Sequence, residues 1–379
     1  MSKFLIACGG TGGHLAPGIA LAETMLERGH DVRLFISRKK VDTRLVEKYP
    51  QLTTTRVPGL PFGWRPDVMA RFVIEQGRGL KFSLSYLRNF RPDAVIGFGG
   101  FTNAGVTLAA RLLNIPIALH EANRVPGRAI RVLSRVAQRL YLPPGVRLPG
   151  RLGLRVRHTG LPVRREVACL PREAARELLG VNPLQKLLVI MGGSQGSSPL
   201  NKWVAENVAA LAAEGVQTWC VTGLGKGENE VREFRSKSGA KVGAWFEPFT
   251  DRVGALLSAA DLVVSRAGAG TLAELVRCET PAILIPYPEA ADNHQWANAR
   301  QFEQQGGGLV IDQNSLSLLR QEVLEVLFNE WLVHKFRENL HRMATEDAVN
   351  TMAQDLEELA LRIPPQRHVR HRPVTASTP

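Results

Sequence analysis

The sequence predicts an α/β protein of two domains, each a parallel sheet with helices on both faces. Three observations carry that expectation. Strand-like and helix-like apolar patterns alternate along nearly the whole chain, the pattern that builds parallel sheets covered by helices. A glycine-rich turn follows a buried strand pattern in each half, at Gly9–Gly13 and again at Gly192–Gly196. The length, 379 residues, exceeds what one hydrophobic core usually serves.

In the first half, Phe4–Cys8 reads as a strand, Gly9-Gly10-Thr11-Gly12-Gly13-His14 as a tight turn, Gly18–Arg28 as a helix and Val32–Ser37 as the next strand. Such a βαβ opening with a glycine-rich first turn suits a nucleotide. A dinucleotide site would also show GxGxxG and an acid closing the second strand. Here position 15 is Leu and the second strand ends Phe35-Ile36-Ser37-Arg38, so NAD is disfavoured. Val68–Asn89 reads as one or two helices. Ala94–Gly97 is a strand that runs into a turn containing Gly99 and Gly100, followed by a helix at Ala104–Leu113. Pro116–His120 is a strand ending in His120-Glu121-Ala122-Asn123, with another helix after Val125-Pro126-Gly127. Three strand ends thus carry glycine-rich or polar loops, and in open α/β sheets such ends line the binding crevice. An ordinary strand-to-helix turn accounts for some of these glycines equally well.

Gly and Pro within Val156–Arg164 mark the exit from the first domain. Pro171–Leu179 is a helix and Leu187–Met191 the first strand of the second domain, with a helix from about Pro199. Strands near Thr218–Val221, Lys241–Ala244, Leu262–Val264, Ala282–Ile285 and Gly308–Val310 complete the second sheet. Helices at Ser315–Phe328 and Trp331–Met343 close it, and Val349–Leu361 forms a last one. The expected division is 1–160, 161–345, a C-terminal helix at 346–363 free to return to the first domain, and a basic tail at 364–379 whose composition suits disorder.

The stretch Leu262–Ala299 carries the most chemistry. Ser265-Arg266-Ala267-Gly268-Ala269-Gly270 is a glycine-rich turn opening a helix. Backbone N–H groups and the positive end of the helix dipole there suit a diphosphate. Glu274 lies about one helical turn further on, where a carboxylate can reach a ribose diol. Asp292-Asn293-His294-Gln295 opens the next helix with side chains suited to sugar hydroxyls. The physical reading is a nucleotide-sugar pocket; the plain alternative is an unremarkable pair of α/β loops.

The net charge of +13 points to an anionic partner: nucleic acid, an acidic membrane surface or a phosphorylated substrate. Aromatic residues amount to 6%, few for stacking on bases, and no RNA-binding motif is present, so a nucleic-acid partner leaves the glycine loops unexplained. Four scattered cysteines without CxxC spacing suit neither a zinc site nor a disulfide framework. The N-terminus enters a strand directly, unlike a signal peptide. In the 68–89 segment Phe72, Ile74 and Leu80 alternate with Arg71, Arg78 and Lys81, a composition able to rest on an anionic bilayer. A helix packed on its own sheet with solvated arginines reads the same way.

Taken in order, GGTGGH at 9–14, GFGGF at 97–101, HEAN at 120–123, TGLPVR at 159–164, GGSQGS at 192–197, SRAGAGTLAE at 265–274 and DNHQ at 292–295 resemble the MurG family of glycosyltransferases, within glycosyltransferase family 28. The resemblance covers roughly residues 3–345. It implies the GT-B fold, two Rossmann-like domains facing a central cleft. It implies an inverting transfer of GlcNAc from UDP-GlcNAc to the C4 hydroxyl of the muramyl sugar of lipid I, giving lipid II. A GT-B transferase acting on another glycolipid acceptor, such as diacylglycerol, is the alternative. By the same resemblance no metal or other cofactor is required, and the protein sits peripherally on the cytoplasmic face of the bacterial inner membrane.

The resemblance assigns donor contacts to Arg164, Ser194, Thr250, Ala269, Gly270, Thr271, Leu272, Glu274, His294 and Gln295, with Thr11, Gly12, Gly13 and Asn123 reaching across from the first domain. Backbone near Phe249 and Thr250 would read the uracil edge. Gly10, Thr11, Gly12, Gly13, Gly99 and Gly100 would cradle the acceptor's diphosphate beside Asn123. His14 is the expected general base, since an imidazole titrating near neutrality can take a hydroxyl proton; orienting the diphosphate is its other reading. Glu121 competes as base, although a carboxylate at a strand end can equally anchor a loop. His120 reads as structural. His294 stands where some family members carry Gln, and the run Leu142–Arg155 is unusually rich in Arg, Pro and Gly.

Overall fold

A computed structural model of the chain describes residues 1–10, 12–60, 65–148, 150, 155–193, 195–344 and 347–361. Thr11, Ser194, much of 149–154 and the 364–379 tail lie outside the described residues.

The first sheet contains β1 (Lys3–Ala7), β2 (Asp31–Ile36), β3 (Thr53–Arg56), β4 (Ala94–Gly97), β5 (Ile117–His120), β6 (Arg139–Leu142) and β7 (Val156–His158). Its order is β3-β2-β1-β4-β5-β6-β7, all parallel. Helices α1 (Gly12–Glu27), α2 (Lys40–Val46), α3 (Pro66–Phe90), α4 (Asn103–Leu112) and α5 (Arg128–Leu133) connect these strands. The second sheet contains β8 (Lys186–Met191), β9 (Val216–Val221), β10 (Glu230–Arg235), β11 (Lys241–Glu247), β12 (Leu262–Ser265), β13 (Ala282–Leu284) and β14 (Gly308–Val310), in the order β10-β11-β9-β8-β12-β13-β14. It is parallel except for β10, which runs antiparallel to β11. The helices of this half are α6 (Arg172–Leu179), α7 (Ser198–Ala213), α8 (Val253–Ala259), α9 (Ala269–Arg277), α10 (His294–Gln304), α11 (Leu319–Phe328), α12 (Glu330–Met343) and α13 (Ala348–Leu361).

Each sheet reverses its strand order once, and that switch point places the site. In the first sheet β1 lies beside β4, with Ala7 paired to Gly97. The turns that follow, 8–14 and 98–103, therefore sit side by side. In the second, β12 lies beside β8, with Ser265 paired to Met191, so the turns at 192–197 and 266–270 are neighbours. Diverging helices on either side of a switch point leave a crevice there.

Several details differ from the sequence reading. Helix α1 starts at Gly12 rather than Gly18 and carries Pro17 inside it. Gly18 is where α1 presses on β1, since a Cβ there would lie 2.7 Å from the Cys8 sulfur. The 66–90 segment is one helix of 25 residues, ended by Arg91 in a left-handed conformation (φ 53°). Gly79 does not break it but lets α3 lie close to its neighbours. A Cβ at Gly79 would sit 2.7 Å from the Pro58 oxygen, and one at Gly105 on α4 would sit 3.1 Å from the Gly79 backbone. Residues 156–158, read as linker, form the edge strand β7. Strands β3 and β7 are short and polar edge strands (TTTR and VRH), which is why no apolar alternation announced them.

The last helix packs on the first domain. Met352, Leu356 and Leu359 are buried in the same cluster as Phe4, Ile6 and Ile96, and each contributes roughly 1.5–3 kcal/mol by leaving water. Asp355 on α13 accepts from Arg139 Nε (3.0 Å) and Tyr141 OH (2.8 Å). Glu357 pairs with Arg28 at 3.0 Å and His30 at 2.9 Å. The chain thus crosses between the sheets twice, at 159–164 and after α12.

Candidate active site

On the first-domain side the Gly9–Gly10 turn touches both neighbouring turns. A Cβ at Gly9 would collide with the Ser37 backbone, and one at Gly100 (φ 78°) with the Gly9 carbonyl. Thr102 Oγ1 donates to the Gly9 oxygen at 3.0 Å, and Gly10 N–H donates to Asp42 at 2.9 Å. His14, in the first turn of α1, lays its ring against this pair of turns. A Cβ at Gly99 or Gly100 would stand only 3.4 or 3.3 Å from it. His14 is half-buried. Burial pulls its imidazole down to about 4; the Asp42 carboxylate opposes that shift and the Lys39 ammonium adds to it. At neutral pH the ring is uncharged, the state a proton acceptor needs.

His120 is buried against Phe98, with ring centroids 5.1 Å apart. Burial lowers it to about 3, against a hydrogen bond to the Gly160 backbone that raises it and the nearby His14 that lowers it. Glu121 is not placed to act as a base. Its Oε1 accepts from Asn123 N (2.9 Å) and Nδ2 (3.1 Å), and its Oε2 from Gly127 N (2.7 Å). The carboxylate anchors the 121–127 loop with both oxygens, which corrects the catalytic expectation for it.

On the second-domain side, helix α9 follows Gly268, whose extended conformation (φ −70°, ψ 137°) brings no side-chain cap. The first N–H groups of α9, at Ala269, Gly270 and Thr271, have no partner within the helix, an arrangement that suits an anion. A Cβ at Gly268 or Gly270 would meet no protein atom, so this face is open. The turn before α9 is held by Arg266, a residue the sequence reading did not single out. Its guanidinium donates to the Ile285 and Pro286 carbonyls (3.1 and 3.3 Å) and to Gln313 Oε1 (2.6 Å). Gly193 continues β8 in a left-handed conformation (φ 81°) beside this turn. Thr250 is buried, its Oγ1 accepting from Arg252 N at 3.2 Å.

Glu274 lies one turn into α9 and accepts from Arg164 Nη2 at 3.4 Å; Arg164 Nη1 also donates to Glu166 at 2.8 Å. Burial holds the Glu274 carboxyl above its ordinary range despite Arg164. Tyr49, from the first domain, donates to the second oxygen of Glu166. Glu274 therefore belongs to a network joining the two domains, which its position in the sequence could not show. Leu272 is partly buried, its side chain packed against the second domain's core.

At the start of α10, Asp292 and Asn293 are left-handed (φ 52° and 53°). Asp292 faces Arg128 (3.4 Å) and Arg131 (3.7 Å) of the first domain. His294 Nδ1 bonds the Ala291 carbonyl at 2.7 Å, and Gln295 Oε1 accepts from Tyr287 N at 2.9 Å. Asn298, one turn further, joins the domains. Its Oδ1 accepts from Arg124 N (2.9 Å), and its Nδ2 donates to Asn123 Oδ1 (3.1 Å) and to the Ala267 carbonyl (3.2 Å). Asn123, expected to touch substrate, is held here between Glu121 and Asn298. A further contact between the domains places Arg44 over the Phe249 ring (4.6 Å) and Lys48 against Asp251. A cavity of ≈ 650 Å³ lies behind the Asn123–Asn298 bridge, lined by Leu161, Val163, Leu272, Asn298, Phe302 and Val349 among others. Of the expected donor residues, Ala269 and Leu272 line it, whereas Thr250, Glu274 and Gln295 do not.

Two doubly wound sheets whose glycine turns meet at a cleft, one carrying a neutral histidine and the other an open helix N-terminus over a carboxylate, define a GT-B glycosyltransferase. The glycosyltransferase family 28 N-terminal domain matches residues 4–142 and the family 28 C-terminal domain matches residues 187–354. The chain is 59% identical over 359 residues, 95% of each chain, to the UDP-N-acetylglucosamine--N-acetylmuramyl-(pentapeptide) pyrophosphoryl-undecaprenol N-acetylglucosamine transferase of Opitutus terrae. It is 35% identical to that of Parasynechococcus marenigrum over 95% of this chain and 99% of the relative. The crystal structure of Acinetobacter baumannii MurG superposes with a TM-score of 0.71 at 22% identity, over 94% of this chain and all of that one. The chain belongs to glycosyltransferase family 28 and, within it, to the MurG family.

Proposed function

We propose that the protein transfers GlcNAc from UDP-GlcNAc to the C4 hydroxyl of the muramyl sugar of undecaprenyl-pyrophosphoryl-MurNAc-pentapeptide, with inversion. The observation that carries this reading is 59% and 35% identity, over nearly the whole chain, to relatives with that activity in their names, joined to a neutral His14 on α1, a helix that packs against α9. His14 takes the hydroxyl proton as the C4 oxygen attacks the anomeric carbon. The bond from that carbon to the diphosphate oxygen breaks, and UDP leaves with the electron pair. The N–H groups of Ala269–Thr271 and the α9 dipole stabilise the departing charge, a task that then asks for no metal. Glu274 holds the ribose, the backbone at Phe249 and Thr250 the uracil edge, and His294 and Gln295 the sugar. Gly10, Gly12, Gly13, Gly99 and Gly100 hold the acceptor's diphosphate. UDP release with a lipid I analogue, unchanged in EDTA, is the expected result. Release with a diacylglycerol acceptor but not with the lipid I analogue would overturn the acceptor assignment.

The same reading places the protein peripherally on the cytoplasmic face of the membrane, through α3. Among the described residues no helix is long and apolar enough to cross a membrane. On α3, Val73 and Ile74 are 62% and 55% exposed and Met69 is 44% exposed. Arg71, Arg78 and Lys81 are exposed on the same helix. Leu80 is not part of this surface, because it packs on the first domain's core, and Phe72 is half-buried. Apolar residues beside basic ones suit an anionic leaflet, each cation contributing about 1 kcal/mol. Replacing Met69, Val73 and Ile74 by Ser should abolish sedimentation with phosphatidylglycerol vesicles while UDP release with a detergent-soluble acceptor persists. Undiminished sedimentation would remove α3 from the assignment.

A further inference from the structure

Asp42, on α2, is a fully buried carboxylate that none of the substrate contacts uses. Its Oδ2 accepts three donors: Gly10 N at 2.9 Å, Ser37 N at 3.3 Å and Ser37 Oγ at 2.5 Å. Ser37 Oγ in turn accepts from Lys39 N at 3.2 Å. One oxygen thus ties the turn after β1 to the turn after β2. The other oxygen, Oδ1, is buried and has no hydrogen-bond partner among the described residues. A purely structural clamp has no need of such an arrangement. Glu121, which anchors a loop in the same domain, uses both of its oxygens. Leaving a buried carboxylate oxygen unmatched is costly.

Four residues beyond Gly10 is His14. The charged or titratable groups that face it are Asp42 from α2, Lys39 from the turn before α2 and His120 from the end of β5. The Gly99–Gly100 turn on its other side contributes only backbone. Asp42 is thus the one negative charge opposing burial and the Lys39 ammonium at this ring, among the described residues.

We propose that Asp42 is a positioning residue for the acceptor-side base: its buried carboxylate locks the Gly9–Gly10 turn that leads into His14. The proposal rests on the reading of His14 as the base. Neutralising Asp42 leaves burial and Lys39 unopposed, so the imidazole becomes a weaker acceptor, and a weaker base transfers the proton less readily.

The test uses full-length Asp42→Asn and Asp42→Glu, with the His14 ring followed by NMR of the ¹³Cε1-labelled protein without substrate. In folded D42N the His14 titration should move to lower pH, and kcat should fall about tenfold, part of the roughly 10²–10⁴ that a positioned general base contributes. The KM for UDP-GlcNAc should stay unchanged, and D42E should recover part of both losses. An unmoved His14 titration in folded D42N would overturn the proposal. If D42N does not fold, D42E decides: moving the carboxylate should move the His14 titration from its wild-type position, and an unmoved titration counts against the coupling. A His14 titration that moves while the acid limb of kcat/KM stays put would overturn the base role of His14 and leave the coupling intact, so the two failures are distinguishable.

Discussion

Replacing His14 by Gln should lower kcat for UDP release by about 10²–10⁴, the usual contribution of a positioned general base, and leave the KM for UDP-GlcNAc nearly unchanged. The ring stands on the first-domain side, packed on Gly99 and Gly100, apart from the Glu274 network to which donor binding is proposed. Gln preserves size and hydrogen bonding but cannot take a proton, so it separates proton transfer from diphosphate orientation. Equal losses in kcat and in acceptor affinity would favour orientation. A pH dependence follows with a definite sign. The free-enzyme imidazole is drawn from the usual 6.5 to about 4, so the acid limb of kcat/KM should lie well below 6.5, with activity lost as pH falls through it. A bound acceptor diphosphate brings negative charge to the ring, so the limb of kcat should lie at higher pH than that of kcat/KM. Stability has the same sign. The unfolded chain binds protons at His14 and His120 near 6.5 that the folded chain refuses until about 4 and about 3. Stability is therefore full above 6.5 and declines as pH drops toward those values.

Glu274→Ala should raise the KM for UDP-GlcNAc by about 10- to 100-fold, as expected for losing a charge-assisted hydrogen bond of roughly 1.5–3 kcal/mol. The kcat should change far less, because the carboxylate holds a part of the donor that does not react. The substitution should not unfold the protein, since Arg164 keeps its 2.8 Å pairing with Glu166. Glu274→Gln, which retains an acceptor oxygen without the charge, should fall between. Isothermal titration with UDP reads the same contact without catalysis. Wild-type UDP affinity in a folded Glu274→Ala variant would remove this residue from the donor site.

Much of the architecture was legible in the chain because its causes are local. Short apolar runs with glycine at or soon after their ends mark β1, β4, β8 and β12, and those four ends form the two switch points. The elements that escaped notice lack such a signal. Strand β10 is exposed along most of its length, and α2 has only seven residues. The site was legible as residue types and less so as roles. The HEAN run shows a carboxylate at a strand end, but its role as anchor came from the amides of Asn123 and Gly127 folding back on it. In the 68–89 segment the alternation of apolar and basic residues left the packed face of the helix open. The core took Leu80 and solvent took Val73 and Ile74.

By itself the sequence determined two doubly wound domains, glycine turns at the strand ends and a histidine and a carboxylate placed one helix start apart from those turns. Strand period and glycine's freedom act within a few residues, so short windows suffice to read them. Only the tertiary structure decided which groups meet. It paired Asp42 with a turn 32 residues earlier and Asn298 with a loop 174 residues earlier. It tied Glu274 to Arg164 at a separation of 110 and returned α13 to the first sheet. Those pairings depend on which strand ends become neighbours once the two sheets are wound, and no local preference of the chain encodes that.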